Sequence, residues 1–313
     1  MTDEEFSRIV KYTAVRYGIN LYHKKVMVEG RLSNYLAANG FKSYTEYMDR
    51  VEADYTGQEA QNLINILTTN HTYFMREPEH FEFFKNVILP ELKEREKTGI
   101  DLRIWSAAAS SGQEPYTIAM ILKDFLRPEY NAWETSVLAT DISRKVLDSA
   151  VNGIYSAEQI NTLPVWWRNS YFVPLPDGMY QVKKELRQQV VFRQFNLMNP
   201  LPFKKKMHVI FLRNVMIYFD ETTKRKLVQR LYEFLEPGGY LIIGSTENID
   251  RSAVPLVSDR PYSGKNKYRE EIQNDEKNKS SDCRGLPDVP ADFSPESYNR
   301  PNVRGCGTGL RPL

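Results

Sequence analysis

Cysteine is scarce in this chain. Its two residues, Cys283 and Cys306, sit in a polar C-terminal stretch and fit neither a disulfide framework nor a zinc-ligand pattern. Histidine is also scarce: the four residues at 23, 71, 80 and 208 are too scattered for a histidine-rich metal site, so no metal is expected. No uninterrupted apolar run approaches the ~20 residues of a membrane span. The opening Met-Thr-Asp-Glu-Glu carries no apolar signal segment. These absences predict a cytoplasmic protein with no direct membrane insertion. A large charge of one sign is missing too. The formal net charge of +2 argues against a general nucleic-acid binder. What is present is length and apolar content: 313 residues, 41% hydrophobic, support a sizeable core and two domains.

Residues 1 to about 67 read as all-helical. Phe6, Ile9, Val10 and Thr13 begin an apolar face; Val26, Leu32, Tyr35 and Leu36 continue it, and Tyr44, Tyr47 and Met48 extend it. Gly40 separates two short helices. Arg8, Lys11, Arg16, Lys24, Lys25, Arg31 and Lys42 face only one acidic residue, Glu29, over that span. Such a bias is either a solvated helix face or a docking surface for an acidic protein partner. Over residues 63–76 the apolar helix pattern ends and polar groups crowd a linker, in which Asn70 and Thr72 could simply cap a helix junction.

From about residue 100 the pattern alternates between strands and helices. Strands are predicted at 102–106, 135–140, 190–194, 207–212 and 239–244, which argues for a mostly parallel sheet covered on both faces. The stretch from Ser106 to Gly112 joins the first strand to a helix opened by Pro115, the arrangement that presents backbone to a cofactor. Gly112 is the only glycine in that turn. The paired-glycine dinucleotide fingerprint is therefore missing, which disfavours a nicotinamide oxidoreductase and suggests an adenosine-type cofactor without a pyrophosphate. A tightly packed core turn is the plain alternative.

Asp141 ends the second strand, where an acid can accept ribose hydroxyls or else cap the helix that follows. Arg213 and Asn214 are polar at the end of a very apolar strand, and Tyr218 follows one helical turn after Asn214, facing the same cleft. Residues 153–189 interrupt the alternation with clustered aromatics and a hairpin around Asp177-Gly178, read as a compact inserted subdomain. Beyond residue 270, five prolines, four glycines and few apolar residues give a disorder-like composition.

Four segments, in this order, resemble one family. They are Thr69-Asn-His-Thr-Tyr-Phe-Met-Arg-Glu77, Trp105-Ser-Ala-Ala-Ala-Ser-Ser-Gly-Gln-Glu-Pro-Tyr116, Thr140-Asp-Ile142 and Arg213-Asn-Val-Met-Ile-Tyr-Phe219. The set is similar to the CheR family, the S-adenosylmethionine-dependent chemoreceptor glutamate O-methyltransferases, over about residues 1 to 270. The resemblance implies a Rossmann-like class I methyltransferase fold with an N-terminal all-helical domain and a small inserted β-subdomain. The expected boundaries are a receptor-docking domain at 1–75, a methyltransferase domain at 76–270 with its β-subdomain near 170–192, and a disordered tail at 271–313.

The implied reaction moves a methyl group from S-adenosylmethionine to receptor glutamates, leaving S-adenosylhomocysteine; a noncatalytic cofactor-sensing module is the alternative. The implied cofactor-binding residues are Asn70, Thr72, Arg76, Glu114, Asp141, Asn196, Leu197, Arg213 and Asn214. Asp141 is expected at the ribose, Asn196-Leu197 beside the adenine and Arg213-Asn214 beneath the cofactor. Arg76 and Tyr218 are expected nearest the transferred methyl group. Two departures stand out. Gln113 replaces an acidic residue often found beside Glu114, with little chemical consequence expected. The hairpin at Pro174-Leu-Pro-Asp-Gly178 is short, which weighs against tethering to a C-terminal receptor pentapeptide and leaves the cytoplasmic helical bundle of the receptors to the basic N-terminal helices.

Overall fold

The computed structural model describes residues 1–95, 101–127, 129–250, 254–260 and 262–266. The expectations for the tail after residue 270, and for both cysteines, lie outside the described residues.

The chain opens with four helices: α1 (Asp3–Tyr17), α2 (Lys25–Ala38), α3 (Tyr44–Ala53) and α4 (Gln58–Leu67). Local sequence sets their ends. Thr2 accepts from the Glu5 N–H while the Glu5 side chain returns to the Thr2 backbone, a capping box at the start of α1; Gly18, at φ 71°, stops it. Ser43 caps α3 by accepting from the Glu46 N–H. Ile9, Leu32, Tyr47 and Leu63 are buried where these helices meet.

The second part runs through α5 (Pro78–Phe83), a π-turn (Phe84–Ile88), α6 (Leu89–Arg95), β1 (Ile104–Ser106), α7 (Gln113–Phe125), β2 (Val137–Asp141) and α8 (Arg144–Asn152). Then come β3 (Ile154–Tyr155), α9 (Ala157–Ile160), α10 (Val165–Tyr171), β4 (Phe172–Pro174), β5 (Tyr180–Val182), α11 (Lys184–Arg187) and β6 (Val190–Gln194). The described chain closes with β7 (Met207–Leu212), α12 (Glu221–Glu233), β8 (Leu235–Ile243), β9 (Leu256–Arg260) and β10 (Ser263–Asn266).

Seven strands form one sheet in the order β6-β2-β1-β7-β8-β10-β9. The first five are parallel, and β10 runs antiparallel to both β8 and β9. Chain order reverses at β1, which pairs with β2 on one side and β7 on the other. That is the switch point at which open α/β sheets leave a crevice beyond their strand ends. A second sheet, β3-β5-β4, is the small subdomain. It includes residues 154–155, ahead of the expected hairpin, whereas residues 190–194 join the large sheet.

All of β7 is buried, and alternate side chains face opposite layers. Val209 and Phe211 pack with Phe81, Phe84 and Ile118 beneath α5 and α7. Ile210 and Leu212 pack with Leu227 of α12 and with Ile9 and Leu63 of the N-terminal helices. The helical segment therefore shares one continuous apolar layer with the sheet.

Differences from expectation have local causes. β8 begins at Leu235, ahead of the predicted start at 239, because the register shifts between Met207 and Val209 and lets the chain pair early. No strand was expected at β9 or β10, whose residues lack an alternating apolar pattern. Ile210→Ala should cost about 2–5 kcal/mol of unfolding free energy. Val15→Ala, at a 75% exposed position on α1, should stay within about 0.5 kcal/mol in the same denaturant titration.

Candidate active site

The crevice at the carboxyl ends of β1, β2 and β7 opens into a cavity of about 200 Å³. Five segments line it: the linker after α4, the turn after β1, the end of β2, the loop after β6 and the turn after β7. The N-terminal helical segment adds Tyr17, Leu21, Lys24 and Arg31. Every residue singled out from the sequence reaches this wall: Asn70, Thr72, Arg76, Glu114, Asp141, Asn196, Leu197, Arg213, Asn214 and Tyr218.

The linker is held rather than slack. Arg31 of α2 donates to the carbonyls of Leu67 (2.8 Å) and Thr68 (3.2 Å) and to the Thr69 hydroxyl (2.8 Å). It thus takes up acceptors that the end of α4 leaves open. Asn70 and Thr72 do not cap the next helix. The N-cap of α5 is Glu77, at φ 56° with no side-chain cap, and Pro78 supplies the first helical position. Arg76 lies half-buried on the wall and donates to the His71 carbonyl at 2.9 Å.

The turn after β1 is tied to the end of β2. The Asp141 carboxylate accepts from the backbone N–H of Ser110 and of Ser143, both at 2.9 Å. Burial pushes the Asp141 carboxyl above its usual range, opposed by those backbone donors. Both roles considered for it are structurally open: it braces the turn into α8, whose N-cap is Ser143, and still faces the cavity. Ser110, at φ 47°, also donates through its hydroxyl to the Asn70 carbonyl at 3.0 Å, joining turn to linker. α7 starts at Gln113, two residues before Pro115, because Gly112 at φ 96° takes the capping conformation.

Arg213, expected beneath the cofactor, lines the cavity, and its polar atoms are taken up by the protein. It is 5% exposed, and its donors turn inward. Nε donates to His80 Nδ1 (2.8 Å) and one terminal nitrogen to Glu114 Oε2 (2.7 Å); the other reaches Glu77 Oε2 (3.0 Å) and the Arg76 carbonyl. Glu114, in turn, has its other oxygen on the Ser106 hydroxyl at 2.7 Å. Asn196 is similarly engaged: its amide donates to the Arg16 carbonyl and accepts from Met198 N–H. These three side chains build the wall more than they leave polar atoms unspent.

Asn214 and Tyr218 share the cleft, but not through α-helical spacing. Asn214 stands at φ 55°, and a 3₁₀ turn, Met216–Tyr218, follows. Glu247, which the sequence reading did not single out, shapes this turn. It accepts from the backbone N–H of Asn214 (2.8 Å), Met216 (2.7 Å) and Gly244 (2.8 Å). Burial raises its carboxyl above the usual range. A Cβ on Gly244 would come within 2.6 Å of the Asn214 amide nitrogen, so a side chain there would break the arrangement. Glu77 and His80 were also missed. Their only sequence signal is an unusual density of polar residues beside the apolar start of α5.

Burial works upward on Glu77, but hydrogen bonding from Asn214 and the Arg213 charge bring its carboxyl below the usual range. Burial and then the Arg213 charge push His80 down to about 4. The basic N-terminal surface is smaller than the sequence suggested, because Arg8 pairs with Asp49 and Glu52 and Lys25 pairs with Asp3. Lys24 remains at the cleft, its ammonium 5.9 Å from the centre of the Tyr218 ring. Among the described residues, no group of three or more His, Cys, Asp or Glu could hold a metal ion, and no helix is long and apolar enough to cross a membrane.

Comparison with known proteins adds independent findings. A family model described as "CheR methyltransferase, SAM binding domain" matches residues 70–259, and one described as "CheR methyltransferase, all-alpha domain" matches residues 4–68. The chain is 44% identical over 253 residues to the chemotaxis protein methyltransferase of Borreliella burgdorferi, covering 80% of this chain and 89% of that protein. Similarity to the Escherichia coli protein of the same name is 38% over 257 residues, 79% and 85% of the two chains. Chemotaxis protein methyltransferase 2 of Vibrio cholerae is 36% identical over 254 residues, 80% and 88% of the two chains.

His80 also predicts a pH dependence of stability. Its pKa in the fold lies below that of a free imidazole, so its contribution is complete above about pH 6.5 and is lost as pH falls toward 4. Asp141 and Glu247, whose pKa values are raised, act in the opposite direction and only nearer the carboxylate range. Unfolding free energy from urea titrations should therefore fall between about pH 6.5 and 5, and His80→Asn should flatten that slope. An identical slope in the variant would refute the assignment.

Proposed function

The chain belongs to the CheR methyltransferase family, and from that premise we propose that it transfers a methyl group from S-adenosylmethionine to glutamate side chains of chemoreceptors, forming 5-O-methyl esters. The observation that carries this reading is the convergence of all ten residues named from the sequence on one cleft. No observation favours the noncatalytic alternative.

The cleft fits the cofactor on the chemistry of its lining. Ala107, Ala108 and Ser110 keep the turn after β1 low, so a ligand can lie close to the backbone. Asp141 offers carboxylate acceptors suited to ribose hydroxyls. Ile142, Phe195 and Leu197 give an apolar surface suited to an adenine ring. When bound there, S-adenosylmethionine supplies a methyl group activated by the sulfonium.

The chain's task is then alignment. A glutamate carboxylate, with a reference pKa of about 4.3, is already ionised near neutral pH and needs no general base. Arg76 holds that carboxylate by charge-assisted hydrogen bonds and orients one oxygen for attack. Tyr218 donates a hydrogen bond or narrows the channel between the two substrates. Alignment and exclusion of water can supply on the order of 7–11 kcal/mol of the barrier. Asn70 and Thr72 line the same passage, and Arg213, Glu114 and Asn214 fix its floor.

Receptor recognition falls to the N-terminal helices. Lys24 places a cation at the cleft, where it attracts an acidic helical bundle and guides a glutamate inward. The short connection between β4 and β5 weighs against a second tether through a receptor pentapeptide. A cytoplasmic location follows from that partner.

Incubation with methyl-labelled cofactor and a receptor cytoplasmic fragment should give base-labile label on glutamate; base-stable label, or none, would overturn the reading. Arg76→Ala should lower kcat by about 100-fold while changing cofactor affinity by less than about 3-fold. Asp141→Ala should weaken cofactor binding by roughly 10- to 100-fold, the loss expected for hydrogen bonds to a charged group. Calorimetric titration of both variants separates the two roles, and intact affinity in Asp141→Ala would remove it from the ribose site.

A further inference from the structure

His80 does not line the cleft, yet both of its ring nitrogens are committed. The side chain is fully buried in α5 beneath the ring of Tyr262, with centroids 4.1 Å apart. Nδ1 faces Arg213 Nε at 2.8 Å, and Nε2 faces the Ser245 hydroxyl at 3.1 Å. A guanidinium has donors only, so Nδ1 must be the acceptor and the ring proton sits on Nε2. Ser245 then accepts from Nε2 and donates to Glu79 Oε1 at 3.1 Å. Three charged groups face the imidazole: Arg213, Glu77 at 3.4 Å from Nδ1, and Glu79 at 4.0 Å from Nε2.

We propose that His80 is a positioning residue for methyl transfer, acting through Arg213 on the Arg76 backbone and the Glu114 carboxylate. The inference rests on the methyltransferase reading of the cleft. Its physical basis is the planarity of the guanidinium. The terminal nitrogens of Arg213 hold Glu114 on one side and Glu77 with the Arg76 carbonyl on the other. Those bonds leave the plane free to tilt about the line joining them. An acceptor at Nε removes that freedom, because Nε lies off the line and its single N–H has one direction. The Arg76 backbone is thereby set by a side chain that meets no substrate.

Two substitutions separate the ring nitrogens. His80→Asn places an amide oxygen near the position of Nδ1 and keeps the acceptor for Arg213. His80→Gln reaches instead toward Ser245 and leaves Nε of Arg213 without its acceptor. Both are measured in the full chain with a receptor fragment, by kcat, receptor KM, calorimetric affinity for S-adenosylmethionine and thermal melting. The Asn variant should keep kcat within about 3-fold, whereas the Gln variant should lose about 100-fold, the scale of an ångström-sized misplacement. Cofactor affinity and receptor KM should move by less than about 5-fold in either, since the lost interaction serves the aligned complex.

Ser245→Ala, which spares the bond to Arg213, should also keep kcat within about 3-fold. If the Gln variant does not fold, the Asn and Ser245→Ala arms still decide: a loss beyond about 10-fold in either overturns the proposal. Equal kcat in the Asn and Gln variants, or losses that follow melting temperature rather than the Nδ1 acceptor, overturn it as well. A wild-type protein that binds the cofactor but labels no receptor would bring down the methyltransferase reading, and this inference with it.

Discussion

The buried guanidinium of Arg213 is the interaction on which the site depends. One side chain joins the end of β7 to the linker, to α5 and to α7. Burying a charge is costly unless each donor finds an acceptor. Here the acceptors are two carboxylates, a backbone carbonyl and an imidazole nitrogen, and the Phe81 ring lies 5.1 Å from the guanidinium carbon. Removing any one of them leaves a buried donor unpaired, which costs more than the intact bond contributes. The segments that meet at Arg213 are therefore held as a unit rather than as separate loops.

That bracing explains where backbone strain collects. Among the described residues, the non-glycine positions with left-handed φ are Met75, Glu77, Ser110 and Asn214. All four belong to the linker or to the turns that frame the cleft. Such conformations persist only where surrounding contacts over-determine them. Glu77 is held by Arg213 and Asn214, Ser110 by Asp141 and Asn70, and Asn214 by Glu247. Glu77 and Asn214 are bonded to each other, which joins the linker to the turn after β7, and Ser110 ties the turn after β1 to the same linker, so the three segments keep their shape together.

Much of this was legible in the sequence, and the parts that were not share a cause. Strands 190–194 and 207–212 match their expected limits; the second is an apolar run bounded by Lys204-Lys205-Lys206 and Arg213. Asp141, Arg213 and Asn214 were recognisable as polar groups at strand ends, where an α/β sheet places its ligands, while the other cleft residues followed from the family resemblance. Their orientation was not. Whether Arg213 points outward or inward depends on residues 76–80, more than 130 positions away in sequence. The N-terminal charge bias misled for the same reason. Arg8 and Lys25 find carboxylates on other helices or turns of the bundle, and Arg31 finds the carbonyls at the end of α4. Local pattern reports residue type and exposure; the partner of a long polar side chain is set by tertiary contact.

The charges that remain divide the cleft in a way that bears on the order of its contents. At the floor, Arg213 is paired with Glu114, which lines the cavity, and on its other side with Glu77 behind the wall, while Asp141 adds a second lining carboxylate. Toward the linker and the N-terminal helices the lining cations are Arg76, Lys24 and Arg31. An excess of carboxylate at one end favours a cation, while the basic end favours an anion. A sulfonium donor and a carboxylate acceptor have this pairing of charges, so each is disfavoured in the other's place. The hydrogen bond from Asn20 N–H to the Tyr218 carbonyl, 2.8 Å, fixes the helical segment to the turn that carries Tyr218. The basic end is therefore built into the same rigid frame as the floor, and the separation of charge is a property of the fold rather than of mobile side chains alone.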